Sequence, residues 1–140
     1  MALHNKRRFA REIVLKSLYQ WEMLSGSEDS ILNDVFNRDE LPAEIREFAT
    51  GVFKGTVTNC IEIDAKISQY VENWSMDRIA IIDINILRFA VYELLYHPET
   101  PARVIINEAV EIAKRYGDTK SYQFVNGILD RASKDLRKES

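Results

Sequence analysis

Lys6-Arg7-Arg8-Phe9-Ala10-Arg11 puts four cations within six residues at the start of a strongly helical stretch. Guanidinium groups bind phosphate through a two-point fork and stack on flat rings. Arginines followed by an exposed aromatic side chain therefore form a phosphate-then-stacking track, which suits single-stranded nucleic acid. Tyr19 supplies such a ring. It falls on the same helical face as Arg8, roughly 16 Å further along at 1.5 Å per residue. Charge distribution sharpens the reading. Residues 1–16 carry five basic side chains against Glu12 alone, whereas residues 17–140 carry 14 basic and 21 acidic ones. A basic arm on an acidic body directs a polyanion to one place. The competing reading of the cluster is a solvated N-terminal segment without a ligand.

Other chemistries have little support. His4 and His97 stand far apart, and Cys60 is the single cysteine. No zinc-type spacing, no intramolecular disulfide and no cofactor motif follows from them, and the lone cysteine fits a reducing compartment. Lys54-Gly55-Thr56 has the wrong order and too few glycines for a phosphate loop. Gly51 and Gly55 instead form a small-xxx-small pair, expected to admit a close helix neighbour. No catalytic motif is present, so an enzyme is not expected. No apolar run reaches the roughly 18 residues of a membrane span, and no signal-peptide core follows the N-terminal charges. A cytoplasmic protein is expected. Met1 and the polar tail suggest a complete chain.

These side chains must be positioned by helices. With 140 residues, three prolines and five glycines, the chain reads as one all-α domain of about seven helices. The first helix is expected over 5–24, with Ala10, Ile13, Val14, Ser17, Trp21 and Leu24 inward and Arg8, Arg11, Glu12, Leu15 and Tyr19 outward. Ser25-Gly26-Ser27 ends it. Further helices are expected over 31–36, 43–59 (opened by Pro42) and 61–73. A fifth, over 76–96 and capped by Ser75, is apolar nearly all round and so belongs at the centre. Within it Arg88 needs an ionic partner if buried, whereas Asp83 could face outward. The sixth helix follows Thr100 as N-cap with Pro101 at its first position, and stops at Gly117. The seventh covers 121–136, and residues 137–140 should fray.

Several stretches together resemble the NusB family of transcription antitermination factors. They are Arg7-Arg8-Phe-Ala-Arg11-Glu12 with Ser17-Leu-Tyr19-Gln-Trp21-Glu22; Asp83-Ile-Asn-Ile-Leu-Arg88-Phe-Ala-Val-Tyr92-Glu93-Leu; Pro101 to Lys114; and Phe124-Val-Asn126-Gly127-Ile-Leu-Asp130. The order and spacing match over essentially the whole chain. The resemblance implies two packed three-helix subdomains around a long central helix. It implies binding of boxA RNA in nascent transcripts together with the ribosomal protein NusE, and loading onto the RNA polymerase elongation complex through other Nus factors. Processive transcription of ribosomal RNA operons would follow. No cofactor, metal or catalysis is implied. The family's RNA-binding arm falls on Lys6, Arg7, Arg8 and Arg11, its helix-one tyrosine on Tyr19, and its RNA-contacting phenylalanine on Phe124, with Ser121 and Asn126 as neighbours. Tyr70 and Asp83 fall on the surface shared by RNA and protein partner.

Two positions depart from the pattern. Phe9 stands where the arm is often polar or basic. Lys120 stands where some members carry an acid, so it is expected to strengthen RNA binding and steepen its salt dependence. Competing expectations are a NusB-like RNA-holding domain in ribosomal RNA modification, as in fused methyltransferases, and a purely protein-binding adaptor. A homodimer that covers the arm is a further expectation from the family.

Overall fold

The structure, a computed structural model, describes residues 3–24, 26–38, 41–71 and 76–137. Seven α-helices and one short 3-10 turn account for the regular structure among them, without a strand. The expectations placed on Ser25, on Ser75 and on 138–140 lie outside the described residues. The chain divides into two compact units, 1–58 and 59–140.

The first unit holds α1 (Leu3–Leu24), α2 (Glu28–Arg38) and α3 (Ala43–Thr58). α2 begins at Glu28, three residues earlier than the apolar periodicity suggests. The Ser27 hydroxyl accepts a hydrogen bond from the Ser30 amide at 3.0 Å, and Glu28 and Asp29 occupy the first turn. That is an N-cap with negative charge where the helix dipole favours it. α2 and α3 both pack on α1. Ala10, Val14 and Leu18 of α1 meet a core that includes Leu32, Ala49, Val52 and Phe53. The buried hydroxyls of Ser17 and Thr56 each donate to the carbonyl four residues earlier, so neither is left unpaired.

α1 departs from its expected two-faced pattern. Arg11, Glu12 and Leu15, expected outward, are buried at 2–4% exposure. A single apolar stripe serves one neighbour, and α1 has two. At its C-terminal end the expectation fails in the other direction, because Leu24 is 71% exposed. The expected close helix approach at Gly51 is also absent: nothing lies within 4 Å of where a Cβ would sit, on an exposed part of α3.

The second unit holds α4 (Cys60–Ser68), the 3-10 turn Met76–Arg78, α5 (Ile81–Tyr96), α6 (Ala102–Tyr116) and α7 (Ser121–Leu136). α5 packs against α4, α6 and α7, and ten of its sixteen residues are buried. An all-round apolar helix requires such a place. It starts at Ile81, not Met76, which puts Asp83 in its first turn. α4 stops at Ser68 because the Tyr70 amide reaches back only to the Ile67 carbonyl, a tightened last turn. Arg88 has the ionic partner its burial demands. Its Nε and Nη2 donate to the two Asp64 oxygens at 2.8 and 2.9 Å, and its Nη1 donates to Asn85 Oδ1 at 3.0 Å.

The turn between α5 and α6 differs from expectation by one residue. Pro101 is the N-cap of α6, and the buried Thr100 hydroxyl has no hydrogen-bond partner. Arg137, expected to fray, is held. Its guanidinium donates to the carbonyls of Leu94 at 2.9 Å, His97 at 2.7 Å and Glu93 at 3.2 Å, and also to that of Thr100.

Candidate nucleic-acid interface

α1 and α3 position the arm in the first unit. Lys6 Nζ donates to Glu44 Oε1 at 2.6 Å. That ammonium holds the exposed Glu44 carboxyl below the usual carboxylate range. The Arg7 guanidinium lies 4.8 Å from the centre of the Phe48 ring, and that of Arg11 lies 5.2 Å from it. Two cations on one ring are fixed by its quadrupole and by packing. Fixed guanidiniums lose less entropy on meeting a phosphate than freely rotating ones. The recess lined by Lys6, Arg7, Ala10, Glu44, Ile45 and Phe48 is about 70 Å³, too small for a nucleobase. Lys6, Arg7 and Arg8 are half-buried rather than enclosed.

Arg11 needs a different reading from the one its sequence position suggests. At 2% exposure it supports the corner from beneath and does not present its guanidinium to solvent. Tyr19 is 43% exposed and available for stacking. With Leu15 buried, however, the stretch between Arg8 and Tyr19 is not a continuous wet strip.

The second unit carries a separate groove of about 470 Å³. It is lined by Arg78, Ile79, Ala80, Asp83, Asp118, Lys120, Ser121, Gln123 and Phe124. The α6–α7 turn builds one wall. Asp118 Oδ1 accepts from the Lys120 amide at 2.9 Å, and the Ser121 hydroxyl accepts from the Asp118 amide at 3.0 Å. This Asx-type turn fixes where α7 begins. Gly117 is needed for space: a Cβ there would collide with the Ser121 side chain and sit 2.9 Å from the Ala113 carbonyl oxygen. Ser121, expected to touch RNA, is 2% exposed and serves this turn instead. Phe124 is half-buried in the groove wall, while Lys120 and Asn126 are exposed.

Asp83, for which the sequence leaves an outward position open, does not face outward. It is 7% exposed, it lines the groove, and its Oδ1 has no hydrogen-bond partner. Burial pushes its pKa above the usual carboxylate value, and the charge of Asp118 adds to this; a hydrogen bond from Ser121 pulls the other way. Tyr70 is committed within its own unit. Its hydroxyl donates to Asp135 Oδ2 at 2.7 Å, and its carbonyl accepts from Arg131 at 2.8 Å. Burial, followed by the Asp135 hydrogen bond and charge, raises its phenol pKa.

The structure thus brings Lys6, Arg7 and Arg11 together at one corner, and Asp83, Lys120, Ser121 and Phe124 around one groove. Glu44, Phe48, Arg78, Asp118 and Gln123 complete these places and were not anticipated. Only Phe48 left a trace in the sequence, as an aromatic residue beside the buried stripe of α3. Among the described residues, no group of three His, Cys, Asp or Glu side chains could hold a metal ion, and no helix is long and apolar enough to cross a membrane.

The model of the NusB family matches residues 8–134. The transcription antitermination protein NusB of Thermodesulfovibrio yellowstonii is 43% identical over 141 residues, which cover 93% of each chain. A solved structure of T. maritima NusB is similar with a TM-score of 0.86 at 43% identity, over 92% of this chain and 91% of that one. A crystal structure of the antitermination factors NusB and NusE in complex with dsRNA contains a chain with a TM-score of 0.85 at 28% identity, over 94% of this chain and 98% of that one.

Proposed function

The chain belongs to the NusB family, and from that premise we propose that it is a transcription antitermination factor that binds boxA RNA together with NusE. It would support processive transcription of ribosomal RNA operons in the cytoplasm through the other Nus factors, without a cofactor or a catalytic step. The observation that carries this reading is the cationic corner, with Arg7 held over the Phe48 ring beside the Lys6–Glu44 pair. A relative of the same fold was solved with NusE and dsRNA, which supports the same partners here.

In this reading the two units act as one RNA-binding domain. Lys6, Arg7 and Arg8 take phosphates, with Arg11 supporting Arg7's ring partner. Tyr19 and Phe124 stack on bases, and Lys120 and Asn126 add polar contacts beside Phe124. Tyr70 and Asp83 belong to the surface shared by RNA and NusE.

The test is binding of a fluorescent boxA RNA, with a scrambled RNA as control, to the protein alone and with NusE. An Arg7→Ala/Arg8→Ala variant runs in parallel. The expected result is sequence-selective binding that NusE strengthens and the variant loses. Equal binding of boxA and scrambled RNA with NusE present would refute the reading and favour a protein-binding adaptor.

A further inference from the structure

One large apolar side chain of the second unit takes no part in its core. Ile61, in the first turn of α4, is 90% exposed, while Ile63 and Ile67 of the same helix fill the inner face. A lone exposed isoleucine needs no explanation. This one has aromatic neighbours. The Tyr96 hydroxyl donates to Glu62 Oε1 at 3.0 Å and lies 3.3 Å from Asn59 Oδ1, so the tyrosine reaches across the start of α4 on both sides of Ile61 in sequence. Tyr96 is itself 43% exposed although its hydroxyl is fixed. The Tyr92 ring packs on it with centres 5.1 Å apart. Together they form a ledge whose rings are already held in place, which lowers the entropy lost on binding.

The charges around the ledge select its occupant. Glu62 touches Tyr96, and Glu99 lies 3.7 Å from His97, whose ring meets that of Tyr92 edge-on at 5.5 Å. Both carboxylates are exposed. Arg137, the neighbouring cation, is turned onto the carbonyls at the end of α5. Carboxylates and aromatic faces attract a cation and repel the phosphates of a nucleic acid. An inorganic cation has no use for Ile61. We propose that this ledge docks a protein segment that carries an arginine or lysine beside an aliphatic side chain. The charge is taken by the two rings with Glu62 and Glu99, and the aliphatic group rests on Ile61. Charge complementarity of this kind fixes the register of an interface around a tyrosine anchor.

The ledge is separate from the groove. α4 and α5 run antiparallel, since Asp64 meets Arg88 and Glu62 meets Tyr96 further along α5. Asp83 and the groove lie at the N-terminal end of α5, and Tyr96 is its last residue, roughly 20 Å away at 1.5 Å per residue. A chain that holds RNA and NusE at one end of this helix pair keeps the other end open for a third component. The inference goes beyond the RNA-binding reading and does not depend on it.

The test is an NMR titration of the full chain, labelled at isoleucine methyls and tyrosine rings, with three blocked hexapeptides. One alternates leucine with arginine, and the others carry glutamine or glutamate in place of arginine. The Ile61 methyl signal is identified by its loss in Ile61→Ala. The expected result is that the arginine peptide shifts the Ile61, Tyr92 and Tyr96 signals at millimolar concentration, about tenfold more tightly than the glutamine peptide, with the glutamate peptide weakest. A Glu62→Gln/Glu99→Gln variant should lose most of the advantage of arginine over glutamine. Ile61→Ala should weaken both of those peptides by about threefold and leave boxA RNA and NusE binding within about twofold.

Three unmoved signals at millimolar arginine peptide, or arginine and glutamine peptides bound alike, would overturn the proposal. So would a preference for arginine that is undiminished in the double variant. Loss of boxA RNA or NusE binding in Ile61→Ala would give the ledge to that complex and overturn it as well. Failure of the wild type to bind boxA RNA, with the peptide results as expected, would sink the RNA reading and leave this one standing.

Discussion

Replacing Arg137 by alanine should destabilise the second unit far more than its place at the end of a helix suggests. Its guanidinium holds four carbonyls, those of Glu93, Leu94, His97 and Thr100. Three lie at the C-terminus of α5, where the Glu93 and His97 carbonyls also accept the His97 and Thr100 amides, and one lies in the turn that leads into α6. Hydrogen bonds from a charged donor contribute about 1.5 kcal/mol or more each. Fixing the arginine costs up to about 2 kcal/mol of rotamer freedom. Because the residue is half-exposed, water recovers part of what its loss removes. The balance is about 2–4 kcal/mol. For a chain of this size, with a urea slope of about 2 kcal/mol per molar, the midpoint should fall by about 1–2 M. The assay is equilibrium urea unfolding followed by circular dichroism. Arg137→Lys should recover less than half of the loss, since one ammonium cannot span four carbonyls. A midpoint shift below about 0.3 M for Arg137→Ala would show that the clamp contributes nothing and refute the reasoning.

Three further outcomes can be checked with comparable means. Asp83 is raised above the ordinary carboxylate pKa, so its ionised form opposes folding at neutral pH by about 1.4 kcal/mol for each unit of the shift. Asp83→Asn should therefore raise Tm at pH 7, and the gain should shrink as pH falls through the raised value and vanish below the ordinary one; a lower Tm at pH 7 would contradict this. A double-mutant cycle of Arg88→Met and Asp64→Asn should give a coupling of about 1–3 kcal/mol, given the two-point geometry and side-chain exposures of 11% and 31%; additive losses in thermal unfolding would deny it. Lys120→Asp should weaken RNA binding and lower the log–log salt slope by about 0.7 if the lysine meets one phosphate of a single strand. Unchanged affinity and slope in a salt titration would remove Lys120 from the interface.

What could be read in advance depended on whether the cause was local. The seventh helix shows its bounds, 121–136, in the sequence, because its apolar period runs unbroken and the turn residues of 117–120 precede it. Arg88's partner was implied by an arginine in an apolar helix, although its identity as Asp64, 24 residues away, was not. The sequence extends the fifth helix five residues too far, because 76–80 contains neither proline nor glycine. What starts α5 at Ile81 is not a breaker residue in the chain. Fraying is expected at Arg137 because a terminal arginine carries no local sign that four carbonyls converge on it.

The same distinction separates the proposed contact residues from those that hold them in place. Arg7 stands out by type and spacing in a helical pattern, whereas Phe124 follows only from the resemblance to the family. Phe48, which holds Arg7, and Asp118, which fixes the start of the helix bearing Phe124, are ordinary residues in their own segments. Periodicity assigns a residue to a face with one neighbour in mind. It fails where a helix is covered on several sides, and α1 is such a case: Arg11 and Leu15 were placed in solvent by the angle that correctly placed Tyr19 there. A charge buried by a second neighbour does not lose its use. At 5.2 Å from Phe48, Arg11 packs on the ring that also carries Arg7, so under the proposed function neutralising Arg11 is expected to weaken RNA binding through the geometry of the corner rather than through a lost phosphate contact. The salt slope separates the two routes, because only a lost phosphate contact lowers it.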